Sequence, residues 1–390
     1  MRIAQIAPLY ERVPPVLYGG TERVVYALTE ELVRRGHDVT LFATGDSITS
    51  ARLVPMAKTG TRLGGVKDPL SLHVAMLEEV YAQADRFDVI HSHVDVLAFS
   101  FARSVSVPTV HTMHGRLDLP EHRRVLSRFT DQPLVSISQS QRAPVQDLPL
   151  RWVGTVYNGI RLAHFPFRAK PDNPPYLVFL GRISPEKGPV EAVQVARAVG
   201  IPLKIAAKID PADADWAEEH FLPLLNGPGV EFLGEVDEPT KAELLGGALA
   251  TLFPIRWPEP FGIVMAESLA CGTPVIALPG GSVEEVLVDG ETGFICRSLD
   301  EMAEKVAEVG RIDRAACRAR VERMFSAAAM ADGYERVYQR VVAAARAARP
   351  ALTLVADGRA PRGARLVEIP QAGRDLTLPN TEELPAPAGE

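Results

Sequence analysis

The chain has 390 residues, a net charge of −7 at neutral pH and 46% hydrophobic residues. This length exceeds one ordinary domain, so we expect two, and the acidic balance argues against nucleic acid as a partner, because nucleic acid requires a basic face. Three cysteines without paired spacing (Cys271, Cys296 and Cys317) are typical of reduced thiols in a cytoplasmic protein. No stretch reaches the roughly 20 apolar residues of a membrane span, so we expect no transmembrane segment and at most a peripheral membrane contact.

Residues 2–43 have the pattern of a βαβ unit. A strand is predicted over 2–8, a helix over 21–35 with Thr21 as its N-cap, and a second strand over 39–43. Such a unit predicts a parallel, doubly wound sheet. The Gly19–Gly20 turn lacks the three-glycine spacing of a dinucleotide fingerprint, which argues against nicotinamide chemistry. Tight-turn geometry alone would explain the two glycines.

Histidines follow two further predicted strands, over 88–93 and 108–112. Ligands in open α/β sheets collect beyond the carboxyl ends of strands, so these histidines are expected near a cleft. His91 and His93 share one strand face, a spacing that also suits a metal, but no carboxylate or cysteine completes such a site and we expect no metal. A hydrogen-bonded structural role remains the alternative for each histidine.

Residues 116–129 are locally basic in an acidic chain. The basic side chains are Arg116, His122, Arg123, Arg124 and Arg128, against the acidic pair Asp118 and Glu121. Such a charge run is usually a solvated helix face, which we favour. A phosphorylated or carboxylated acceptor, or an anionic membrane surface, is the alternative partner.

The second half of the chain opens with two cations. The proline-rich stretch 165–175 predicts a linker, and a strand over 176–180 is followed by Arg182 and then, five residues later, Lys187. These side chains lie at the carboxyl edge of the predicted sheet, where Arg suits a bidentate phosphate contact and Lys a point-charge contact. Both residue types are also common in surface turns, so this pair alone leaves the function open.

The stretch 257–277 (WPEPFGIVMAESLACGTPVIA) carries the strongest signal. Prolines at 258 and 260 predict a helix that begins near Phe261 and ends at Gly272. The segment 263–270 is apolar or small except at Glu267 and Ser268, so this helix is expected to be buried nearly all round. An ionised Glu267 then needs hydrogen-bond donors around it.

Glu259 lies just before this helix and Glu267 two turns inside it. Between them are the first-turn N–H groups, which suit an anion. Two carboxylates for sugar and ribose hydroxyls, with a helix N-terminus for a diphosphate, together describe a nucleotide-sugar pocket. Alternatively, Glu259 only complements the helix dipole and Glu267 is salt-bridged to a neighbouring arginine.

The remaining strands and helices of the chain follow the same alternation. They are predicted over 134–138, 153–156, 203–207, 214–225, 230–232, 239–246, 250–253, 274–278, 280–286, 290–294, 302–310 and 315–346. Residues 347–390 are interrupted by prolines and predict a loosely ordered tail.

The stretch 257–277 resembles the glutamate, seven residues, glutamate signature of retaining family-four glycosyltransferases (glycosyl transferases group 1, GT-B fold). The resemblance includes Pro-Phe-Gly after the first Glu and Ala-Cys-Gly-Thr-Pro-Val after the second. It implies an α/β fold of two Rossmann-like, doubly wound parallel-sheet domains facing a cleft. The expected domains are an acceptor-side domain over 1–167 with a crossing-back helix at about 328–346, a nucleotide-sugar-binding domain over 168–327, and the tail over 347–390.

The resemblance also implies roles for the residues of the signature. Glu259 would meet hydroxyls of the transferred sugar and Glu267 would hold the ribose diol. The backbone N–H groups that would approach the sugar and phosphate belong to Phe261, Gly262, Ile263 and Val264.

Outside the signature, the resemblance implies that Arg182 and Lys187 bind the donor diphosphate, which the Gly19–Gly20 loop would face from across the cleft. His114 would contact the transferred sugar near its acceptor side, with His111 as the competing candidate. Arg182, Lys187, Glu259 and His114 are therefore the expected catalytic residues.

The implied activity is retaining transfer of a hexose from a nucleoside diphosphate sugar, with a UDP-sugar as the expected donor, to an acceptor hydroxyl. No metal or other cofactor is expected. The sequence does not identify the acceptor, and an anionic one remains open. Two alternatives remain, a nucleotide-sugar epimerase of the same architecture and a non-catalytic sugar-nucleotide-binding protein.

Overall fold

The computed structural model describes residues 1–62 and 64–348, and two β-sheets dominate this part of the chain. The strands of the first sheet are β1 (Arg2–Ile6), β2 (Asp38–Thr44), β3 (Arg52–Ala57), β4 (Val89–Ser92), β5 (Thr109–Met113), β6 (Leu134–Ser136) and β7 (Trp152–Thr155). The strands of the second sheet are β8 (Leu177–Arg182), β9 (Leu203–Lys208), β10 (Val230–Gly234), β11 (Ala250–Phe253), β12 (Val275–Ala277) and β13 (Gly293–Ile295).

Both sheets are doubly wound. Their strand orders are β3-β2-β1-β4-β5-β6-β7 and β10-β9-β8-β11-β12-β13, and the neighbouring strands pair in parallel throughout. In each sheet the order reverses beside the first strand of the domain, and that is the edge at which ligands of such sheets bind. The predicted architecture of two doubly wound parallel sheets is confirmed.

Helices connect and cover the strands. They are α1 (Gly20–Arg34), α2 (Pro69–Ala82), α3 (Phe99–Ala102), α4 (Pro120–Leu126), α5 (Pro189–Val199), α6 (Ala214–Trp216), α7 (Glu238–Gly247), α8 (Ile263–Ala270), α9 (Val283–Val286), α10 (Leu299–Glu308), α11 (Arg314–Met324) and α12 (Ala327–Ala348). Short 3₁₀ or π segments occupy Ala84–Arg86, Asp95–Ala98, Ser140–Val145, Leu162–His164, Pro211–Asp213, Ala217–Phe221, Leu222–Asn226 and Val309–Arg311. Within the described residues, no helix is both long and apolar enough to span a bilayer.

The start of α1 differs from the prediction. Thr21 is not the N-cap, because the helix begins one residue earlier and Gly19 takes the cap position with a φ of 155°. A Cβ atom at Gly19 would lie 2.7 Å from the Cβ of Pro15, so a side chain would not fit in this loop. Since glycine has no side chain, the cap residue of α1 offers no oxygen to the first-turn N–H groups.

The helical stretch predicted over 315–346 contains two helices, and α12 begins close to the expected start of the crossing-back helix at about 328. The stretch is divided into α11 and α12, because the chain between them pairs with Ile160. The Ile160 N–H donates to the Phe325 carbonyl at 2.9 Å, and the Ala327 N–H donates to the Ile160 carbonyl at 2.9 Å. This break redirects α12 onto the first sheet, where Tyr334 and Tyr338 are completely buried.

The predicted tail over 347–390 lies outside the described residues from position 349 onward.

One buried arginine, Arg314, forms hydrogen bonds both to the linker and to segments beside the second sheet. The Arg314 guanidinium is surrounded by oxygen acceptors, to which it donates at 2.6–3.0 Å: the carbonyls of Arg168, Gly246 and Ala248, and the hydroxyl of Thr273. Arg314 is only 8% exposed, and burial lowers its pKa from the usual value. The linker, the end of α7 and the turn before β12 are therefore held together by hydrogen bonds to one side chain.

Replacing Arg314 by Met is expected to lower the free energy of unfolding by about 2–4 kcal/mol, since several buried carbonyls lose their donor. Urea denaturation followed by circular dichroism measures the change. The control is Arg311→Ala, because the Arg311 side chain is 80% exposed and its ion pair with Glu308 contributes about 0–1 kcal/mol. Equal stability of the two variants would contradict the assigned role.

Candidate active site

A cavity of about 850 Å³ lies beyond the carboxyl ends of strands from both sheets. Its lining includes the residues expected to bind the donor or to be catalytic: Gly19, Gly20, His114, Arg182, Lys187, Glu259, Phe261, Gly262, Ile263, Val264 and Glu267. Residues 8–23, 62–73 and 93–158 contribute to one wall, and residues 180–267 contribute to the other. We call these the first-domain wall and the second-domain wall.

The backbone conformation just before α8 requires a glycine. Gly262 is the N-cap with a φ of 67°, and a Cβ there would lie 3.1 Å from the Phe253 ring. The helix begins at Ile263, two residues after the predicted start. The N–H groups of a first helical turn have no intrahelical acceptor. In α8 these include the N–H groups of Ile263 and Val264, two residues that line the cavity. An anion in the cavity would find donors there.

Glu259 is buried and held from several directions. Its carboxylate pairs with Lys187 and accepts a hydrogen bond from Trp257 Nε1 at 3.0 Å. A Cβ at Gly281 would lie 2.1 Å from the Glu259 carbonyl oxygen, so the loop carrying Gly281 packs directly on this residue. The position of Glu259 is thereby fixed by both its side chain and its backbone.

Glu267 is 2% exposed and forms an ion pair with Lys241 on α7. The alternative interpretation of the sequence paired Glu267 with a neighbouring arginine, and Lys241 was not identified as a partner. Burial lowers the pKa of Lys241, whereas the charge of Glu267 acts in the opposite direction. The lysine therefore neutralises a carboxylate that would otherwise be buried without a counter-charge.

The two predicted cations, Arg182 and Lys187, both lie on the second-domain wall. Arg182 ends β8 and contacts Asp213 at 3.3 Å and Glu186 at 3.5 Å, distances too long for strong charge-assisted bonds. Its N–H groups therefore retain donor capacity for an anion. Glu186 also accepts a hydrogen bond at 2.8 Å from Arg116 of the first domain.

On the first-domain wall, the structure favours His114 over His111. His114 lines the cavity, whereas His111 is completely buried, with its ring edge against Phe99 and its Nε2 3.2 Å from Gln132. Burial lowers the pKa of both imidazoles to about 3, so both are neutral. His114 Nε2 lies 2.8 Å from Nδ1 of His93.

The ring nitrogens of His91 and His93 are all engaged in hydrogen bonds. Neither ring therefore offers a free lone pair for a metal in this arrangement. Within the described residues, no group of three or more His, Cys, Asp or Glu side chains is arranged to hold a metal ion.

The basic run over 116–129 places few charges in the cavity. Arg116 pairs with Asp118 as well as Glu186, and Arg123 pairs with Asp147. Arg124 and Arg128 are exposed. His122 is the member of the run that lines the cavity.

Glu22 is a cavity residue that sequence reasoning missed. It lies in the first turn of α1, where an acidic residue is favourable for the helix dipole alone, so its type gave no further signal. It is 5% exposed, and burial raises its pKa to about 7, partly offset by a hydrogen bond from its own backbone N–H. The described side chains form no ion pair with it.

The raised pKa of Glu22 predicts an unusual dependence of the protein's stability on pH. Because its folded-state pKa is raised above the ordinary 4.5, the folded chain binds the proton more tightly, and its contribution to stability falls as the pH rises from 4.5 to 7. Glu22→Gln removes this penalty, so it should stabilise the protein by about 3 kcal/mol more at pH 8 than at pH 4. Urea denaturation at both pH values measures the difference. Exposed Glu78→Gln should show no such change, and parallel behaviour of the two variants would contradict the assignment.

Two family models match consecutive parts of the chain. Residues 18–164 match Glycosyltransferase Family 4, and residues 161–321 match Glycosyl transferases group 1. Among curated relatives, a glycogen synthase of Mycobacterium tuberculosis is 27% identical over 77% of this chain and 83% of the relative. A phosphatidyl-myo-inositol mannosyltransferase of the same species is 29% identical over 76% of this chain and 82% of the relative.

Solved structures share the fold. A sucrose-phosphate synthase from Thermosynechococcus elongatus superimposes with a TM-score of 0.73 at 20% identity, covering 88% of this chain and 100% of that one. A glycosyltransferase involved in avilamycin A biosynthesis gives a TM-score of 0.64 at 24% identity over 88% and 98%. The HepE protein of Anabaena, solved in complex with UDP, gives 0.66 at 18% identity over 87% and 100%.

The two family matches together span residues 18–321, and the paired doubly wound sheets have the arrangement of these solved structures. The chain belongs to the glycosyl transferases group 1 family and is a glycosyltransferase of the GT-B fold.

Proposed function

We propose that the protein is a retaining, metal-independent glycosyltransferase that moves a hexose from a nucleoside diphosphate sugar, preferably a UDP-sugar, to an acceptor hydroxyl. The observation that carries the proposal is the second-domain wall. Arg182, Lys187 and the first turn of α8 line the same cavity as Glu259 and Glu267. Cations for a diphosphate and carboxylates for hydroxyl groups are therefore available side by side.

The proposed donor position follows from charge. The diphosphate lies against Arg182, Lys187 and the amino end of α8, where donors and positive charge coincide. The ribose diol bonds to Glu267 and the hexose hydroxyls bond to Glu259. Preference for UDP is supported by the structural likeness to HepE, which was solved with UDP.

The proposed chemistry requires stabilisation of a leaving diphosphate. As the bond from the anomeric carbon breaks, negative charge develops on the phosphate oxygens, and fixed cations beside them lower the barrier. Arg182 and Lys187 supply that charge. Glu259 and Glu267 are already assigned to hydroxyl groups of the donor, so no carboxylate among the expected site residues is left as a nucleophile. This supports a same-face route in which the leaving phosphate accepts the acceptor's proton, rather than the carboxylate nucleophile of retaining hydrolases.

The first-domain wall supports an uncharged acceptor over the anionic one that the sequence left open. Its charged groups include three carboxylates, Glu11, Glu22 and Asp95, and burial raises the pKa of each. The lining arginines are already paired, Arg62 with Glu11 and Arg23 with Glu238. An anion here would therefore face carboxylates rather than unpaired guanidinium groups.

Arg182→Ala is expected to lower kcat by about 10²–10³-fold, because it removes a preorganised charge at the leaving group. Release of nucleoside diphosphate in the presence of acceptor measures the rate. Exposed Arg311→Ala serves as the matched control and should retain full activity. A variant that is folded by circular dichroism yet turns over at the wild-type rate would overturn the assignment.

A panel of UDP-, GDP- and ADP-sugars should identify the donor by thermal shift, since a ligand at about 100 times its Kd stabilises by about 2.7 kcal/mol.

Glu267→Gln should weaken binding of the stabilising donor about tenfold, by loss of a charged acceptor for the ribose diol, whereas exposed Glu284→Gln should not. Conversion of the sugar without acceptor would favour the epimerase. Binding without any turnover would favour the non-catalytic sugar-nucleotide-binding protein.

A further inference from the structure

A buried chain of hydrogen bonds connects His114 at the cavity with α12. His114 Nε2 lies 2.8 Å from His93 Nδ1, and His93 Nε2 lies 2.8 Å from Gln5 Oε1. Gln5 Nε2 in turn donates to the Tyr338 hydroxyl at 3.2 Å. His93, Gln5 and Tyr338 are at most 1% exposed, so water does not compete for these bonds.

The chain continues beyond Tyr338. The Tyr338 hydroxyl lies 2.7 Å from Nδ1 of His91, whose Nε2 lies 2.7 Å from the Thr112 hydroxyl. That hydroxyl lies 2.8 Å from the Tyr334 hydroxyl. The network thus runs from the cavity through the first sheet to two tyrosines one turn apart on α12.

Every imidazole in this network is neutral. Burial lowers the pKa of His91 and His93 well below the usual value, and that of His114 to about 3. A neutral imidazole has one N–H donor and one lone pair. Within such a chain, the direction of one hydrogen bond therefore fixes the direction of those that follow it.

Gln5 sets the direction, because its donor and its acceptor are different atoms. Its Oε1 faces His93 and therefore requires an N–H on His93 Nε2. His93 Nδ1 then carries the lone pair and must accept from His114 Nε2. At the other end, the Tyr338 hydroxyl accepts from Gln5 and donates to His91.

We propose that Gln5 and His93 are positioning residues that hold His114 as the Nε2–H tautomer, so that its Nδ1 offers a lone pair to the cavity. Nδ1 of His114 has no hydrogen-bond partner within residues 1–62 and 64–348 and is not a buried atom. The consequence for catalysis rests on the proposed function: His114 accepts a hydrogen bond from a hydroxyl of the transferred sugar and does not donate one.

Tyr338 supports this direction, because its hydroxyl accepts from Gln5 Nε2 while its own proton is donated to His91. Without its hydroxyl, the Gln5 amide can turn through half a rotation and present Nε2 to His93. Both histidines would then exchange tautomers, and His114 would present an N–H donor to the cavity. A residue on α12, outside the cavity lining, thereby selects the hydrogen-bonding character of the sugar-facing imidazole.

Long-range ¹H–¹⁵N NMR of the full chain, labelled at histidine, tests the tautomer directly, with the His114 signals assigned by their loss in His114→Ala. We expect a protonated Nε2 and an unprotonated Nδ1 without any substrate present. An Nδ1–H tautomer, or an even mixture of both, would overturn the proposal. This result does not depend on the donor or on activity, so it is distinguishable from failure of the proposed function.

Tyr338→Phe should produce a mixture of His114 tautomers and lower kcat about fivefold, the equivalent of one neutral hydrogen bond in the transition state. Tyr81→Phe is the matched control, because it also removes a buried hydroxyl of the first domain, one bonded to Thr109 at 3.2 Å, but leaves the network intact. An unchanged tautomer in Tyr338→Phe, or an equal tautomer change in Tyr81→Phe, would refute the role of Tyr338.

Discussion

The second-domain wall of the cavity depends on two buried lysine–carboxylate pairs, Lys187 with Glu259 and Lys241 with Glu267. Removing one partner of such a pair costs about 3–5 kcal/mol, because the other charge is left buried and uncompensated. Each pair therefore places a positive charge beside an acidic side chain on either side of the amino end of α8. Each pair also joins two segments that are distant in sequence, so the charge arrangement and the local packing are established together.

Glycines allow these segments to approach closely enough for the pairs to form. Gly188 has a φ of 74°, and a Cβ there would lie 2.2 Å from the Pro254 carbonyl oxygen, so the Lys187 turn packs directly on the loop that leads to Glu259. Gly281 supports that loop from the other side. On binding of the proposed donor, a phosphate would replace Glu259 as the partner of Lys187, and a sugar hydroxyl would replace Lys187 as the partner of Glu259. The ion pair thus holds both side chains near the positions in which they would be used.

The sequence predicted the elements whose signals are local. α8 begins within two residues of its expected start, because prolines, a glycine and an apolar segment together allow few alternatives there. Arg182 was predicted at the carboxyl end of a strand from the order of strand and turn. Long-range partners had no such signal: Lys241 lies on α7, 26 residues before Glu267, and nothing in its surroundings distinguishes it from a surface lysine. Glu22 was missed for the same reason, because only the tertiary structure buries it.

An ion pair that joins the walls of the cavity is weak. Arg116 and Glu186 are each about one-third exposed, and a partly solvated pair of this kind contributes about 0–1 kcal/mol, far less than the burial of α12 against the first sheet. Arg23 and Glu238, which are 12% and 19% exposed, form a more buried pair between the domains. The Arg116–Glu186 pair can therefore separate without disturbing either sheet. A transferase that must exclude water during reaction and then release its product requires such an imbalance, with strong packing inside each domain and weak contacts across the cleft.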